Sequence, residues 1–261
     1  MVGGINKFRE AFARFSDNFV IIGGTACDEV MSGTEMNPRL TMDIDIVLIV
    51  ENMTPEFAIA FWQFIREGGY RPGKRKNKDG FLKYVLYSFD NGRLGFPMKV
   101  ELLAKHNDIF ENAAHVEPLP IDRAVSSLSS IILEKSYYNL TIGHSFISEG
   151  LRYASPVALM ALKARAYLNL LNDKAAGKKV NSKDINKHRN DVIKLAAITP
   201  GDQQAAVAQD ILQTINEFTS LMLSSLPSQA LRDVLGRNEE TIKAYIESIP
   251  EHYIPNPALE D

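Results

Sequence analysis

A chain of 261 residues with 45% hydrophobic and 23% charged residues has enough apolar side chains for one large domain or two smaller ones. This composition is typical of globular proteins and excludes disorder as the default state. The formal net charge of -3 argues against a protein that coats nucleic acid non-specifically, although a local basic patch could still bind a polyanion.

The single cysteine indicates a reducing compartment, and the hydropathy predicts no membrane-spanning segment. Cys27 is the single cysteine, so neither an intrachain disulfide framework nor a cysteine-based zinc site is expected. Apolar runs stay short of the ~20 residues that span a membrane. Near the amino terminus, charged residues alternate with Phe8, Phe12 and Phe15, which predicts an amphipathic helix rather than a signal peptide. We therefore expect a cytoplasmic protein with no membrane partner.

The first motif is a glycine turn between a strand and a helix. Residues 18–22 predict a short buried strand that runs directly into Gly23, Gly24 and Thr25. Glycines let an anion approach the backbone closely, and a helix that begins near Thr25 would offer unpaired N–H groups. This pattern is typical of a phosphate-binding turn, although an ordinary strand-to-helix connection shares it.

The second motif is a pair of aspartates at the start of an apolar strand over residues 44–50. Asp43 and Asp45 are two positions apart, so both side chains point to the same face with their Cα atoms roughly 6.6 Å apart. Two carboxylates this close repel each other. A pair of Mg²⁺ or Mn²⁺ ions would relieve the repulsion and would suit in-line attack at phosphorus. The alternative is that both are solvated acids at the edge of a strand.

A helix and a basic loop are predicted next. Thr54 and Pro55 have the residue types of an N-cap and a first helical position, and the apolar spacing continues to about residue 67. Residues 71–78 follow as the concentrated basic segment of the chain. Such loops are usually solvated, but a polyanionic acceptor would be expected there first.

A third acid lies in a predicted hairpin. Strands are expected over residues 81–89 and 98–103, joined by a turn at 90–92. Glu101 points away from its apolar neighbours in the second strand and could complete a metal site with the two aspartates. The alternative is an outward-facing glutamate on a half-exposed strand.

The character of the chain changes near residue 155. Before it, residues 128–133 and 137–142 predict another hairpin; after it, helices are expected at 156–172, 182–197 and 201–224, with shorter ones through residue 248. The sequence thus predicts an α+β fold, with a mixed-sheet domain flanked by helices over residues 1–150 and a helical domain over 151–261. In the second long helix, one polar stripe contains Asp184, Lys187, His188 and Asp191, and most such stripes are solvated faces.

The order and spacing of the motifs resemble the signature of the polymerase-β-like nucleotidyltransferases, carried here by Gly23-Gly24, Asp43-x-Asp45 and Glu101. Gly24 replaces the serine of the broader superfamily. The finer pattern, Gly-Gly-Thr-Ala followed by Arg39, Thr41, Asp43 and Asp45, looks like the abortive-infection nucleotidyltransferase toxins of the AbiEii type. Lys163 and the segment from Lys187 to Asp191 are similar to later motifs of that family, so the match covers roughly residues 18–200.

The resemblance implies a nucleotidyltransferase that uses Mg²⁺ or Mn²⁺ and an NTP. In this reading Asp43, Asp45 and Glu101 are the metal-binding and catalytic residues. The residues that would bind the nucleotide are Gly23, Gly24, Thr25, Arg39, Thr41, Lys163, Lys187 and Asp191. Among them, Gly23, Gly24 and Thr25 would hold the β- and γ-phosphates, and Lys163 would neutralise charge on the triphosphate.

The acceptor is left open by the sequence. The toxin-like branch implies RNA, such as the 3′ end of a transfer RNA, and an antitoxin protein as partner. Two alternatives share the fold: a nucleotidyltransferase that modifies a small molecule of the aminoglycoside type, and a non-catalytic module that binds a nucleotide or a partner.

Overall fold

A computed structural model describes residues 3–72, 84–105, 119–120, 134–224 and 227–259, and these residues form a mixed α+β structure as the sequence predicts. The chain divides into two units. The first contains Met1–Glu29, Arg39–Val125 and Ser145–Ala154, and the second contains Val30–Pro38, Ser126–His144 and Ser155–Asp261. None of the helices within the described ranges is long and apolar enough to cross a membrane.

The first unit is built on a mixed sheet with helices around it. Its helices are α1 (Ile5–Phe12), α2, which begins in this unit (Gly23–Met31), and α3 (Pro55–Glu67). Its strands are β1 (Phe19–Ile22), β2 (Asp43–Leu48), β3 (Arg71–Pro72), β4 (Tyr84–Asp90), β5 (Lys99–Lys105), β6 (Leu119–Pro120), β7 (Ser145–Ser148) and β8 (Leu151–Ala154). Neighbouring strands follow the order β3-β4-β5-β2-β1-β8-β7, with β6 beside β4.

Aromatic side chains fill the space between one face of this sheet and the helices α1 and α3. The Phe8 and Phe19 rings meet edge to face with centroids 5.8 Å apart, and Phe12 lies 5.8 Å from Phe57. Phe19 lies opposite Leu48 in the antiparallel register of β1 and β2. Because side chains alternate along a strand, Asp45 lies on the face opposite to Leu48 and the aromatic core. The acids are therefore kept on the other face of the sheet.

The start of α3 confirms the predicted cap. The Thr54 Oγ1 accepts a hydrogen bond of 3.2 Å from the Phe57 N–H, and Pro55 is the first helical residue. This satisfies one N–H that the helix itself leaves without a partner.

The predicted strand over residues 137–142 is wrong. These residues belong to α4 (Lys135–Gly143), in which the Thr141 hydroxyl donates 2.7 Å to the Tyr137 carbonyl one turn earlier. Short apolar runs rich in aromatic and β-branched residues fit a strand or a buried helix equally well. Residues 128–133 lie outside the described ranges. The hairpin in this region is formed instead by β7 and β8, which turn through Glu149 and Gly150 at positive φ of 46° and 81°.

The link between β4 and β5 also differs from the predicted turn at 90–92. The strands pair antiparallel as expected, with Asp90 opposite Lys99, but the connection runs from Asn91 to Met98. Asn91 has a left-handed φ of 64°, a conformation that asparagine tolerates better than most residues.

The second unit is mainly helical. Besides α4 it contains α5 (Pro156–Ala175), α6 (Ser182–Ile198), α7 (Gln209–Leu223), α8 (Gln229–Leu235) and α9 (Glu239–Ser248). It also contains the parallel strand pair β9 (Ala205–Val207) and β10 (Tyr253–Pro255). The predicted helix over 201–224 is therefore wrong in its first part, because β9 occupies it. The predicted domain boundary at residue 150 lies in the turn between β7 and β8, and both of these strands belong to the first unit.

Candidate active site

The register of β2 and β5 brings the predicted acids to one face of the sheet. These strands run parallel, and Asp45 lies opposite Glu101 while Asp43 lies opposite Lys99. Residues opposite each other in a sheet point to the same side, as do residues two apart on one strand. The three acids predicted from the sequence therefore share a single face with Lys99.

Gly23 lies directly against Asp45. The φ of Gly23 is +71°, and a Cβ placed on this residue would overlap the Asp45 Oδ2. Only glycine meets both demands, because it has no side chain and adopts positive φ readily. The predicted glycine turn and the predicted acid pair thus meet at this point.

Gly24 contacts two residues that the sequence assigned to nucleotide binding. A Cβ on Gly24 would lie 2.7 Å from Arg39 Nη2 and 2.9 Å from Thr41 Oγ1. The structure therefore places a guanidinium group and a hydroxyl group against the first turn of α2. Gly23, Gly24 and Thr25 are buried in the structure as it stands.

Thr25 is connected to the acid pair through its hydroxyl. The Thr25 Oγ1 donates a hydrogen bond of 2.6 Å to the main-chain carbonyl of Asp43. This bond ties the first turn of α2 to the start of β2. Thr25 therefore positions Asp43, and its predicted contact with phosphate stays a prediction.

Lys99 is the site residue that the sequence reasoning missed. Its Nζ lies 2.7 Å from Glu101 Oε1, and both side chains are partly buried. Asp90, at the end of β4, is opposite Lys99 in the register and adds a further acid to the same face. A lysine two positions before Glu101 on the same strand was the available signal, since this spacing places both side chains on one face.

Burial and the neighbouring charges shift the pKa values of Asp45, Asp43 and Lys99. Burial raises the pKa of Asp45 to about 7, and the charge of Glu101, a hydrogen bond with Glu101 and the charge of Asp43 add to the effect. Burial also raises the pKa of Asp43, while Lys99 opposes that rise. For Lys99 itself, burial acts to lower the pKa, but the hydrogen bond and attraction to Glu101, together with the charges of Asp90 and Asp43, leave the pKa raised. A pKa near 7 leaves a substantial fraction of Asp45 protonated at neutral pH.

The donor set fits a hard divalent cation in its chemistry. Carboxylate oxygens are the ligands that Mg²⁺ and Mn²⁺ prefer. A bound cation would offset the charges of Glu101 and Asp43, which add to the effect of burial on the pKa of Asp45. In the described ranges, however, no group of three or more His, Cys, Asp or Glu side chains is arranged to hold a metal ion. Glu101 is turned toward Lys99, so binding would require it to leave that ion pair.

The remaining predicted residues lie in the second unit and form pairs there. Lys163 Nζ is 2.7 Å from Asp191 Oδ2, and the two side chains are only 1% and 5% exposed. Lys187 pairs with Asp184 at 3.1 Å on the surface of α6. His188 is buried, so the predicted polar stripe is not one solvated face. The predicted nucleotide contacts of Lys163, Lys187 and Asp191 stay predictions.

Most of the predicted basic loop lies outside the described residues. Arg71 is exposed in β3, opposite Asp90, while residues 73–78 are not described.

Comparison with family models, with curated proteins and with solved structures gives no match to this chain. The resemblance to nucleotidyltransferases therefore rests on the sequence motifs alone.

Proposed function

We propose that this chain transfers a nucleoside monophosphate from an NTP to an acceptor hydroxyl with the help of Mg²⁺ or Mn²⁺. The observation that carries the proposal is the alignment of Asp45 with Glu101 across β2 and β5, directly beside Gly23. Distant parts of the sequence supply an acid pair, a third acid and a glycine turn, and the fold joins them. If the acids were only solvated residues at the edge of a strand, there would be no reason for them to lie together beside a glycine turn.

The three acids would act together in the proposed reaction. Asp43, Asp45 and Glu101 would hold the divalent cations, which when bound neutralise charge on the phosphates and favour ionisation of the acceptor hydroxyl. The acceptor oxygen attacks the α-phosphorus, its proton passes to a carboxylate of the site, and the bond to the β-phosphate breaks. Pyrophosphate leaves with the electron pair of that bond.

The glycine turn supports the triphosphate side of the reaction. The first N–H groups of a helix lack partners within the helix, and α2 begins at Gly23. Arg39 and Thr41 lie against Gly24 and add a positive charge and a hydroxyl there. The planar guanidinium group of Arg39 is well suited to phosphate oxygens.

We propose RNA as the acceptor, in line with the toxin-like branch, and the basic segment 71–78 is the observation that favours it. A chain of net charge -3 concentrates positive charge in this segment. Replacing Lys74, Arg75 and Lys76 with alanine should weaken RNA binding. The slope of the logarithm of the binding constant against the logarithm of the salt concentration should become shallower by roughly 0.7–0.9 per lost phosphate contact. NTP binding should not change.

The direct test is transfer of label from each of the four α-³²P-labelled NTPs to cellular RNA in the presence of Mg²⁺. Wild type should label RNA, while Asp45→Asn and Glu101→Gln should not. Glu56→Gln is the matched control, since Glu56 is exposed at the start of α3. Labelling of an aminoglycoside instead of RNA would support a small-molecule acceptor. Labelling that survives in Asp45→Asn would refute the assignment of the site.

A further inference from the structure

The second unit contains a cavity that the proposed reaction does not use. Its volume is about 200 Å³, roughly the space of seven water molecules in the liquid. It opens between α5, α6, α7, the start of α8, and α9. The wall contains charged, polar and apolar side chains, among them Tyr167, Arg189, Met222, Ser228 and Ile246.

Arg189 provides a positive charge without a carboxylate partner. Its Nε and Nη2 donate hydrogen bonds of 3.1 and 3.0 Å to the Asn190 Oδ1, which is neutral. Within the described part of the chain, no acid forms an ion pair with Arg189 and its Nη1 has no hydrogen-bond partner. Burial lowers the pKa of Arg189, and the Tyr167 hydroxyl partly opposes this shift. A half-buried cation without a counter-ion is costly to the fold, so an anion that joins it is stabilised.

Hydroxyl groups stand beside this charge. The Tyr167 ring is 6% exposed and is held edge to face against Phe218, with centroids 5.3 Å apart. Its phenolic group has no hydrogen-bond partner among the described residues. The Ser228 Oγ accepts a hydrogen bond of 3.2 Å from the Leu231 N–H, which leaves its own proton available to a ligand. The cavity therefore offers a guanidinium group and two O–H donors.

Most of the other residues that line the cavity are apolar, and Ser224 is the polar one among them. Met222, Leu231 and Ile246 line the cavity, and Leu231 and Ile246 are buried. Such a wall favours a ligand with a hydrophobic body attached to its anionic group. A carboxylate carries one negative charge, which Arg189 neutralises. A phosphate dianion would leave an uncompensated charge beside the apolar wall.

We propose that this cavity binds a small organic carboxylate, with its anionic group on Arg189 and its apolar body against Met222 and Ile246. Planar guanidinium and carboxylate groups can form two parallel hydrogen bonds. Tyr167 and Ser228 would donate to the same carboxylate. This site is independent of the nucleotidyl transfer proposed above.

The test uses the full chain labelled with ¹³C in its methionine methyl groups, because Met222 lines the cavity. Benzoate is the probe, benzyl alcohol is its neutral counterpart, and Met222→Leu assigns the signal. Benzoate should shift the Met222 signal in a saturable manner, and benzyl alcohol should not. Arg189→Gln should weaken benzoate binding by about tenfold or more, since charge-assisted hydrogen bonds are lost.

Arg237→Gln is the matched control, because Arg237 is paired with Glu35 at 2.6 Å and does not line the cavity. It should keep the wild-type affinity for benzoate. An unchanged signal of Met160, which is fully buried in α5, reports that a variant is folded. If Arg189→Gln does not fold, Tyr167→Phe takes its place and should weaken binding several-fold. Equal affinity in all variants, a shift that does not saturate, or inorganic phosphate that binds as tightly as benzoate would overturn the proposal.

Discussion

Lys99 holds Glu101 through an ion pair of 2.7 Å and at the same time opposes the rise in the pKa of Asp43. The ammonium group is therefore a positive charge that belongs to the protein and lies on the acidic face of the sheet. A divalent cation that binds Glu101 must compete with it. Lys99 would then set how easily the site takes up metal.

Lys99→Met should strengthen binding of Mn²⁺ by several-fold when nucleotide is absent, because the competing charge is removed. Calorimetry at about pH 8.5, which lies above the pKa of about 7 of Asp45, measures the effect. Lys7→Met is a suitable control, since Lys7 pairs with Glu10 on the surface of α1. Mn²⁺ binding that weakens in Lys99→Met would show that the lysine supports the site rather than competing in it.

Asp45→Asn should change stability in a pH-dependent way. The folded-state pKa of Asp45, about 7, lies above its ordinary value of 3.8, so ionisation of the folded protein is unfavourable. The stability associated with the neutral acid is complete below pH 3.8 and is lost as the pH rises through 7.

Urea unfolding with chelator present should therefore show the variant gaining on wild type as the pH is raised from 5 to 8. A gain of about 1–3 kcal/mol is expected at the upper end. The same substitution should abolish nucleotide transfer at every pH. A stability difference that stays constant between pH 5 and 8 would contradict the raised pKa.

Gly23→Ala should destabilise the fold and abolish transfer, because the new Cβ would overlap Asp45 Oδ2. Gly33→Ala is the matched control: its φ of +76° is similar, but a Cβ there meets nothing within 4 Å. Both variants carry the backbone strain of positive φ, at about 1 kcal/mol each. A larger loss in Gly23→Ala, by roughly 1–3 kcal/mol in thermal unfolding, measures the contact with Asp45. Equal losses would mean that the contact can relax.

Thr25→Val tests whether the hydroxyl positions Asp43. Losing the bond to the Asp43 carbonyl should cost about 1 kcal/mol in the free energy of unfolding, and more if the carbonyl stays buried without a partner. The kcat for transfer should fall while the KM for NTP changes little, because the end of β2 that carries Asp43 is displaced. Thr25→Ser should restore both. A raised KM with unchanged kcat would instead support direct contact with the triphosphate.

Local patterns predicted the parts of the site, whereas long-range pairing assembled it. The glycine turn, the acid pair and the Thr54 cap each depend on a few neighbouring residues, so the sequence shows them. The position of Glu101 beside Asp45 depends on a parallel register between strands far apart in the chain, which no local pattern encodes. The resemblance supplied that association instead.

The errors have the same physical origin. Residues 205–207 form a strand because they pair with residues 253–255, a partner that lies far along the chain. The segment 137–142 is short, aromatic and apolar, and tertiary packing rather than local preference made it helical. Lys99 was overlooked because a lysine on a strand is usually solvated. Its ion pair with Glu101, which the structure shows, places it in the candidate site.

The buried pair of Lys163 and Asp191 allows a test of the residues predicted in the second unit. Each single substitution, Asp191→Asn or Lys163→Met, removes one partner and leaves the other charge buried in a helical core. Such a loss typically costs 3–5 kcal/mol, so loss of transfer in either variant would be ambiguous.

The double substitution Lys163→Met with Asp191→Leu removes both charges and should keep a stability near that of wild type, because apolar side chains replace a buried ion pair at little cost. If Lys163 binds the triphosphate, this folded double variant should lose NTP binding in calorimetry. The control is Lys243→Met with Glu247→Leu, which removes an exposed pair of opposite charges on α9. A double variant that is folded and transfers nucleotide like wild type would give the buried pair a purely structural role. Nucleotide binding would then be confined to the residues around Gly23 and Arg39.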